Sequence, residues 1–471
     1  MMKLTLPALL FCFCTVSCAQ QKQVSAVSEV NEGAIAFPGA EGFGMYATGG
    51  RGGKVIIVTN LDDSGPGSLR EAVKSKKPKI VVFATSGTIH LTSPLEIEAN
   101  TTIAGQTAPG DGICLADYPV TIGGNNVIVR YMRFRMGDRY QNKGKVAGAG
   151  HDDAFSAQKR SNIIIDHCSM SWSTDEVFSI YRGDSTTIQW NLISEPLNYS
   201  YHFEKDDTDF EKHGYGGIWG GKRLSAHHNL IAHAVSRTPR FDGIRNDPEE
   251  FVDYRNNVIF NWVQNNVYGG EGGNYNIVNN YYKYGPSTSK SVQFRIVNPL
   301  KTAVIPFGKF YVDGNYVDGS DETTKNNHLG VVLSNGSEDD KRTALIPQPK
   351  QFASVITHAA TEAYNLILLK AGASFKRDTL DQRVINDVKN RTGRIIDVQG
   401  GFPHGSPYET TQNAWPSLRS LPAPKDSDAD GMPDDWENKN GLNANDTSDS
   451  TQNKLHKHYT NIEVYINSLT K

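Results

Sequence analysis

The chain lacks the cysteine content of a disulfide-stabilised protein. Of 471 residues only 5 are cysteine, and Cys12, Cys14 and Cys18 lie close to the N-terminus. Cys114 and Cys168 remain for the rest of the chain, which allows at most one disulfide there. A disulfide framework is therefore excluded, and a large apolar core has to hold the fold. We expect both cysteines to be buried free thiols.

An excess of charge of one sign and a membrane-spanning apolar run are also missing. The net charge is −3, which gives no electrostatic reason for a nucleic-acid or anionic-membrane partner, and we expect no nucleic acid. The apolar run from Leu4 to Cys14 is too short to cross a bilayer. With Lys3 before it and small residues leading into Cys18, it has the pattern of an export signal.

The residues before Cys18 resemble a bacterial lipoprotein box, in which that cysteine is acylated; an ordinary cleaved signal is the alternative. We predict a lipoprotein signal at 1–17 and a polar tether at 18–35. The protein would then be exported and lipid-anchored in the cell envelope, in the periplasm or on the outer-membrane surface. Its only membrane contact would be the lipid anchor.

Glycine, tyrosine and asparagine are abundant, with 44 Gly and 20 Tyr, which favours many short strands joined by turns. A short theme recurs in which an asparagine precedes an apolar or aromatic pair. It occurs at Asn191, Asn229, Asn257, Asn280 and Asn315. The spacing is typical of one coil of a solenoid, and asparagine suits a coil corner because it tolerates left-handed backbone and bonds neighbouring backbone groups. We predict an all-β, right-handed parallel β-helix with a ladder of stacked asparagine amides.

The composition changes near residue 346. Two helices are predicted, one over Ala360–Leu369 that ends by Gly372 and an amphipathic one over Asp378–Arg391. We expect a β-helix at 36–345, a helical and irregular segment at 346–424 that packs on it, and an acidic segment at 425–471.

The acidic segment has the spacing of an EF-hand-type calcium loop, with glycine at its sixth position. It resembles thrombospondin type 3 and dockerin-like repeats, and a solvated acidic linker is the alternative. We predict one structural calcium ion, followed by a helix that contains Ile462, Ile466 and Leu469. The predicted ligands are Asp426, Asp428, Asp430, Asp434 and Glu437.

Several separate motifs together resemble the pectate lyases of polysaccharide lyase family 1. They are AFPGAEGFG (36–44), the glycine-rich stretch at 48–73, GHDDAF (150–155), NIIIDHCSMSW (162–172), HHNLIAH (227–233) and SRTPRF (236–241). HGYGGIWGG (213–221) is most similar to a bacterial branch of that family. The resemblance covers roughly residues 36 to 400 and implies the same β-helix.

The resemblance implies calcium-dependent β-elimination of polygalacturonate, which gives 4,5-unsaturated oligogalacturonides. Asp153 and Asp175 match family calcium ligands and lie 22 residues apart, about one coil. Asp152 and Glu176 are adjacent carboxylates that could contribute. Ser179 stands where the family commonly has a further aspartate, so calcium is expected to bind weakly until substrate carboxylates complete the coordination.

The resemblance also implies that Arg237 removes the C5 proton, although arginine normally stays protonated. The alternative is that Arg237 only holds a substrate carboxylate. The second family arginine is replaced by Asp242, and no lysine matches the family lysine. The candidates left for binding substrate are Arg240, Arg245, Lys222, Arg223, His213 and Lys212.

Asp166, His167 and Cys168 match a family motif that lies inside the fold, and we expect a structural Asp–His pair there. A Cys–His nucleophile is the alternative, but no third partner is identifiable. Two other functions stay open, a polygalacturonase-type hydrolase and an inactive pectin-binding β-helix. We expect a monomer.

Overall fold

The structure is a computed structural model that describes residue 1 and residues 34–470, except residues 142, 151, 246 and 247. Apart from residue 1, the predicted lipoprotein signal lies outside these residues, as do all but the last two residues of the tether. Short runs rich in β-branched and aromatic residues form the strands, as expected of pleated, half-buried segments. In chain order they are β1 Lys54–Val58, β2 Lys79–Phe83, β3 Gly87–His90, β4 Leu95–Ile97, β5 Thr101–Ala104, β6 Ile113–Ala116, β7 Val120–Ile122, β8 Val127–Arg130, β9 Arg133–Arg135, β10 Phe155–Gln158, β11 Ser161–Asp166, β12 Ser169–Ser171, β13 Phe178–Gln189, β14 Leu192–Ser194, β15 Ile218–Gly221, β16 Leu224–His227, β17 Leu230–Ala232, β18 Arg240–Phe241, β19 Phe251–Arg255, β20 Val258–Phe260, β21 Val267–Gly269, β22 Asn274–Val278, β23 Tyr281–Lys283, β24 Val297–Pro299, β25 Lys309–Asp313 and β26 Tyr316–Val317.

The strands form three parallel faces, here called sheets A, B and C. Sheet A contains β1, β2, β5, β8, β11, the end of β13, β16, β19, β22 and β25. Sheet B contains β3, β6, β9, β12, β14, β17, β20, β23 and β26. Sheet C contains β4, β7, β10, the start of β13, β15, β18, β21 and β24. The chain visits A, B and C in turn, and each strand pairs with its equivalent one coil later. This is the predicted parallel β-helix, right-handed as parallel crossovers almost always are.

The predicted asparagine ladder is present. Asn229 Oδ1 accepts hydrogen bonds from the backbone N (2.9 Å) and Nδ2 (3.0 Å) of Asn191. The same two bonds recur at each step through Asn257, Asn280 and Asn315. Asn327 ends the ladder by accepting both bonds from Asn315.

The expected backbone of the ladder asparagines was wrong in one respect. The left-handed residue is the one just before each ladder asparagine, for example Trp190 (φ 57°), His228 (φ 56°) and Asn256 (φ 53°). At each corner, therefore, the residue before the asparagine turns the chain, and the asparagine forms the hydrogen bonds between coils.

The helices are short and mostly lie outside the β-helix. They are α1 Leu69–Val73, α2 Asp321–Lys325, α3 Glu338–Ala344, α4 Ala360–Lys370, α5 Thr379–Asn390, α6 Tyr408–Thr411, α7 Asp434–Asn440 and α8 Asn461–Ser468. The predicted second helix is α5, which Asp378 caps at its N-terminus and left-handed Arg391 ends. Helices α4 and α5 pack on the outer face of sheet B, where Ile367 and Val384 share an apolar cluster with Leu230.

The outer face of sheet A is also covered. Ala36, Phe37 and Ala40 lie against Ile128 and Ile164, and the C-terminal segment covers the first strands. Sheet C keeps polar and aromatic side chains on its outer face.

Both Cys114 and Cys168 are buried free thiols, as expected. Among the residues that the structure describes, no helix combines the length and apolar content that crossing a bilayer needs.

Candidate active site

Acidic residues of two successive coils meet at the edge where the chain enters sheet C. Phe155 pairs with Phe178, so Asp153 lies beside Glu176 rather than directly beside Asp175. The backbone N of Glu176 donates to Asp153 Oδ1 (3.2 Å), and the N of Asp175 donates to the Asp152 carbonyl (3.1 Å). The coil here is 23 residues long, one more than the spacing of the two predicted ligands.

Asp153 sits in surroundings that disfavour its charge. Burial and the neighbouring Asp175 carboxylate raise the pKa of Asp153 well above its ordinary value, and a hydrogen bond from Ser179 opposes this only partly. Ser179 therefore contacts a predicted calcium ligand, although it replaces the aspartate that the resemblance implies. Its Oγ also accepts from the backbone N of Ile218 (3.1 Å).

His213 is held against Asp175, with 2.6 Å between Nε2 and Oδ1. Burial raises the pKa of Asp175, but the hydrogen bond and charge of His213 bring it below its ordinary value. On the far side of the ring, His213 Nδ1 lies 3.6 Å from Glu211 Oε2. The His202 ring stacks on His213 with centroids 4.3 Å apart.

Arg237 reaches the same edge from a later coil. Its guanidinium forms an ion pair with Glu176 and lies over the Tyr215 ring, 4.3 Å from the centroid. The HGYGGIWGG motif allows this approach through its glycines: a Cβ on Gly216 would lie 2.3 Å from the Arg237 carbonyl, and one on Gly217 2.0 Å from the Phe178 carbonyl.

The site thus gathers four carboxylates, at Asp152, Asp153, Asp175 and Glu176, and three cationic or titratable partners. Arg139 pairs with Asp152 (2.8 Å), as His213 does with Asp175 and Arg237 with Glu176. One ligand atom from each of Asp175, Glu176 and His213 lies within 4.8 Å of the other two. Such a set can bind a divalent cation, and Arg237 can act on a group bound beside it.

The other predicted basic residues lie elsewhere. Lys222 pairs with Glu249, and Arg223 pairs with Asp184 (2.7 Å), both at the turn where the chain leaves sheet C. Lys212 is exposed and lies over the Tyr199 ring, 5.4 Å from its centroid.

Arg240 is buried on the outer face of sheet C and pairs with Glu271 (3.0 Å). Arg245 is exposed in the turn after β18. Of the six substrate-binding candidates, His213 alone contacts the carboxylate group described above.

Arg182 is a residue that the sequence reasoning missed. Its Nε lies 3.7 Å from Asp242 Oδ2, so it places a guanidinium near the position where the resemblance implies a second arginine. The signal that could have found it is Asp242 itself. An aspartate in place of a basic residue indicates that a basic side chain from another coil lies close to it.

The Asp166–His167–Cys168 segment is structural, as expected. Asp166 accepts hydrogen bonds from Arg130 Nε, His167 Nδ1 and Gln189 Nε2, each at 2.8 Å. Burial raises the pKa of the Cys168 thiol to about 12, which leaves no thiolate for nucleophilic chemistry.

The predicted ligands of the acidic C-terminal loop divide into two sets. Ligand atoms of Asp426, Asp428 and Asp430 lie within 4.8 Å of one another. Asp434 does not join them: it accepts from the backbone N of Ser427 (2.7 Å) and pairs with Lys425 (2.6 Å).

Glu437 forms a second group with Asp430 and Asp449, again within 4.8 Å. Asp449 lies beyond the loop motif and was not among the predicted ligands. No spacing rule for a single loop could have identified it.

Comparison with known proteins identifies the family. No protein-family model matches the chain. A probable pectate lyase C of Aspergillus terreus is 37% identical over 454 residues, covering 92% of this chain and 94% of the relative. That of Neosartorya fischeri is 36% identical over 468 residues, covering 95% and 96%. Both relatives are fungal, so the bacterial branch remains a prediction.

Among solved structures, a pectate lyase bound to a hexasaccharide matches with a TM-score of 0.49 and 14% identity, over 71% of this chain and 97% of that one. The full-length sequence identity to the two fungal relatives shows that the chain belongs to the pectate lyases.

Proposed function

We propose that this enzyme cleaves polygalacturonate by calcium-dependent β-elimination at the edge of sheet C. The observation that carries the proposal is the meeting of the carboxylates of Asp153, Asp175 and Glu176 with the Arg237 guanidinium from a later coil. The word pectate in the names of the relatives supports the same substrate class.

The residues present fit a hard cation, because carboxylate oxygens dominate the group and calcium prefers them. Asp175 would hold it together with Glu176, whose ligand atom lies within 4.8 Å of that of Asp175. Asp153, whose Oδ1 accepts from the Glu176 backbone N, is the other proposed ligand. When bound, calcium would neutralise a uronate carboxylate and so make the adjacent C5 proton more acidic.

Arg237 is proposed to take that proton. The electron pair of the C5–H bond becomes the C4–C5 double bond, the C4–O4 bond breaks, and the leaving oxygen is protonated. In this structure the guanidinium is engaged in an ion pair by Glu176, which opposes this role. Because Glu176 would be shared with a bound cation, that ion pair weakens in the loaded site, and a guanidinium edge fixed over Tyr215 can be aimed at one C–H bond.

The outer face of sheet C is the proposed path of the polysaccharide. Arg182 is the added candidate for binding a uronate carboxylate, since a guanidinium can hold a carboxylate through two hydrogen bonds. Arg240 and Arg245 remain proposals for more distant parts of that face, and His213 is proposed to support Asp175.

The test follows the ultraviolet absorbance of unsaturated product on polygalacturonate, with CaCl2 or with chelator. The variants are Arg237→Ala and, as a matched control, Arg223→Ala at the opposite end of sheet C. We expect absorbance to rise only with calcium, to fall about 10²-fold or more in Arg237→Ala, and to persist in Arg223→Ala.

Other outcomes would change the assignment. New reducing ends without absorbance would indicate a hydrolase, and binding without either signal would indicate an inactive pectin-binding β-helix. Full activity in Arg237→Ala would leave Arg237 no role as the base.

We also propose that the protein is exported with a lipid anchor at Cys18 and is a monomer. We propose that the chain divides into segments at 36–345, 346–424 and 425–471, and that a structural calcium ion binds in the C-terminal loop. The grouping of Asp426, Asp428 and Asp430 supports the last of these.

A further inference from the structure

Acidic side chains from three separate pieces of the C-terminal segment converge. They come from the loop (Asp426, Asp428, Asp430), from α7 (Glu437) and from the turn that begins at Asp449. Asp430 belongs to both groups of neighbouring ligand atoms described above, so it links the loop to Glu437 and Asp449.

The carboxylates are buried without partners to match. Asp430 is 1% exposed, Glu437 0% and Asp449 6%. Both carboxylate oxygens of Asp428 and of Glu437, and one each of Asp430 and Asp449, have no hydrogen-bond donor within the described residues. Burying unpaired carboxylates is strongly unfavourable unless a cation compensates their charge. A set made only of oxygens favours calcium over a transition metal.

The same residues are tied to the packing of the segment. The Asp449 carbonyl accepts from Asn461 Nδ2 (2.8 Å), and Asn461 is the first residue of α8. Met432, two residues after Asp430, packs with α8 on strands of sheet A. The cluster includes Met432, Ile462, Tyr465 and Ile466 from the segment, and Ile80, Val82 and Ala104 from the β-helix.

We propose that one calcium-binding site, formed by Asp426, Asp428, Asp430, Glu437 and Asp449, locks the C-terminal segment onto the first coils of the β-helix. Calcium occupancy then decides whether the apolar outer face of β2 and β5 stays covered. The proposal rests on the structural ion proposed above and adds its fifth ligand and its effect. It does not depend on the proposed catalytic ion, whose site lies at the edge of sheet C, whereas the C-terminal segment packs on sheet A.

The test uses the full mature chain carrying Asp153→Asn, so that a calcium effect at the catalytic edge is reduced. In this background, Asp449→Asn is compared with Asp435→Asn, which removes the same charge from an exposed position of α7. Calcium binding is measured by titration calorimetry with CaCl2. Detachment of the C-terminal segment from the β-helix is measured by thermal unfolding and by the fluorescence of a dye that binds apolar surface.

In the Asp153→Asn and Asp435→Asn proteins, we expect chelator to lower Tm by several degrees and to raise dye fluorescence. Asp449→Asn should bind calcium at least tenfold more weakly and show a Tm that no longer responds to chelator. Asp449→Glu should recover part of the response.

The proposal is overturned if Asp449→Asn keeps the calcium affinity of Asp435→Asn, or if chelator leaves Tm and dye fluorescence of the Asp153→Asn protein unchanged. The second measurement needs no substitution in the segment, so it decides even if Asp449→Asn fails to fold. Loss of lyase activity alone would speak against the catalytic proposal and not against this one.

Discussion

Individual carboxylates at the edge of sheet C are already compensated by neighbouring side chains. Asp152 has Arg139, Asp175 has His213 and Glu176 has Arg237. Such pairs offset the cost of gathering like charges and orient each carboxylate. The roles of these partners can be separated because each touches a different acid.

His213→Ala is predicted to weaken calcium binding at the catalytic edge. The close contact between His213 Nε2 and Asp175 Oδ1 (2.6 Å) orients that carboxylate, and loss of a partner that orients a metal ligand typically costs 10- to 100-fold in affinity. The calcium concentration for half-maximal lyase activity should rise by about tenfold or more. Lys212→Ala, next to it but exposed, should match the wild type; equal values for the two variants would contradict the prediction.

Arg182→Ala is predicted to affect substrate binding more than chemistry. Removing one guanidinium from a uronate carboxylate should raise KM by about tenfold, while kcat falls little. Initial rates over a range of polygalacturonate concentrations measure both quantities. An unchanged KM would show that Arg182 serves only to neutralise Asp242.

Glu250→Gln is predicted to flatten the pH dependence of stability. Burial raises the pKa of Glu250 to about 8, against an ordinary value of 4.5. Between these pH values the folded protein holds a proton that the unfolded chain has released, so stability falls as pH rises from 4.5 through 8.

Chemical denaturation at pH 5 and pH 9 measures this effect. The difference in unfolding free energy should shrink by about 4 kcal/mol in Glu250→Gln relative to the wild type. The exposed neighbour Glu249 supplies the control, since Glu249→Gln should keep the wild-type difference. A wild-type pH dependence in Glu250→Gln would refute the assignment.

Among the structural elements, the asparagine ladder supplies a repeated unit of stability. Asn257 is fully buried, and its Oδ1 accepts from the N (3.0 Å) and Nδ2 (2.9 Å) of Asn229. Its Nδ2 donates to the Ala226 carbonyl (3.0 Å). Removal of one amide therefore leaves donors and acceptors of two coils unpaired.

Asn257→Ala is predicted to lower the free energy of unfolding by about 2–4 kcal/mol, because buried polar groups lose their partners. Asn445→Ala, at an exposed turn position, should change it by less than about 0.5 kcal/mol. Urea denaturation of both variants measures the difference, and equal midpoints would show that the ladder is energetically neutral.

At the scale of the whole molecule, the three faces of the β-helix have different surroundings. Sheet B carries α4 and α5, and sheet A carries the N-terminal and C-terminal segments. The acidic edge and the polar outer face of sheet C are where we propose that the polysaccharide binds. Covering two faces hides apolar surface that would otherwise promote association.

The location of the whole molecule is predicted to depend on one cysteine. Cys18→Ser should move the protein from the membrane fraction of a bacterial host to the soluble fraction and abolish labelling with a fatty acid. Cys14→Ser, within the predicted signal, should leave both unchanged. Membrane association of Cys18→Ser would rule out the lipid anchor.

The sequence by itself was sufficient for features that depend on local pattern. The asparagine repeat indicated the ladder, and Asp378 and Arg391 marked the limits of α5. The loop spacing placed Asp426, Asp428 and Asp430 together, because a short loop with glycine at the turn brings its own side chains to one point. The buried role of the Asp166–Cys168 segment was predicted from its resemblance to a family motif.

Only the tertiary structure decided which residues of different coils meet. A coil of 23 residues set Asp153 beside Glu176, and the loop between β14 and β15 brought His213 to Asp175. The stacking of β13, β15 and β18 brought Arg182 to Asp242. Asp449 likewise completes its group from outside the loop motif. Register between coils depends on the length and path of each intervening loop, and a local pattern does not contain that information.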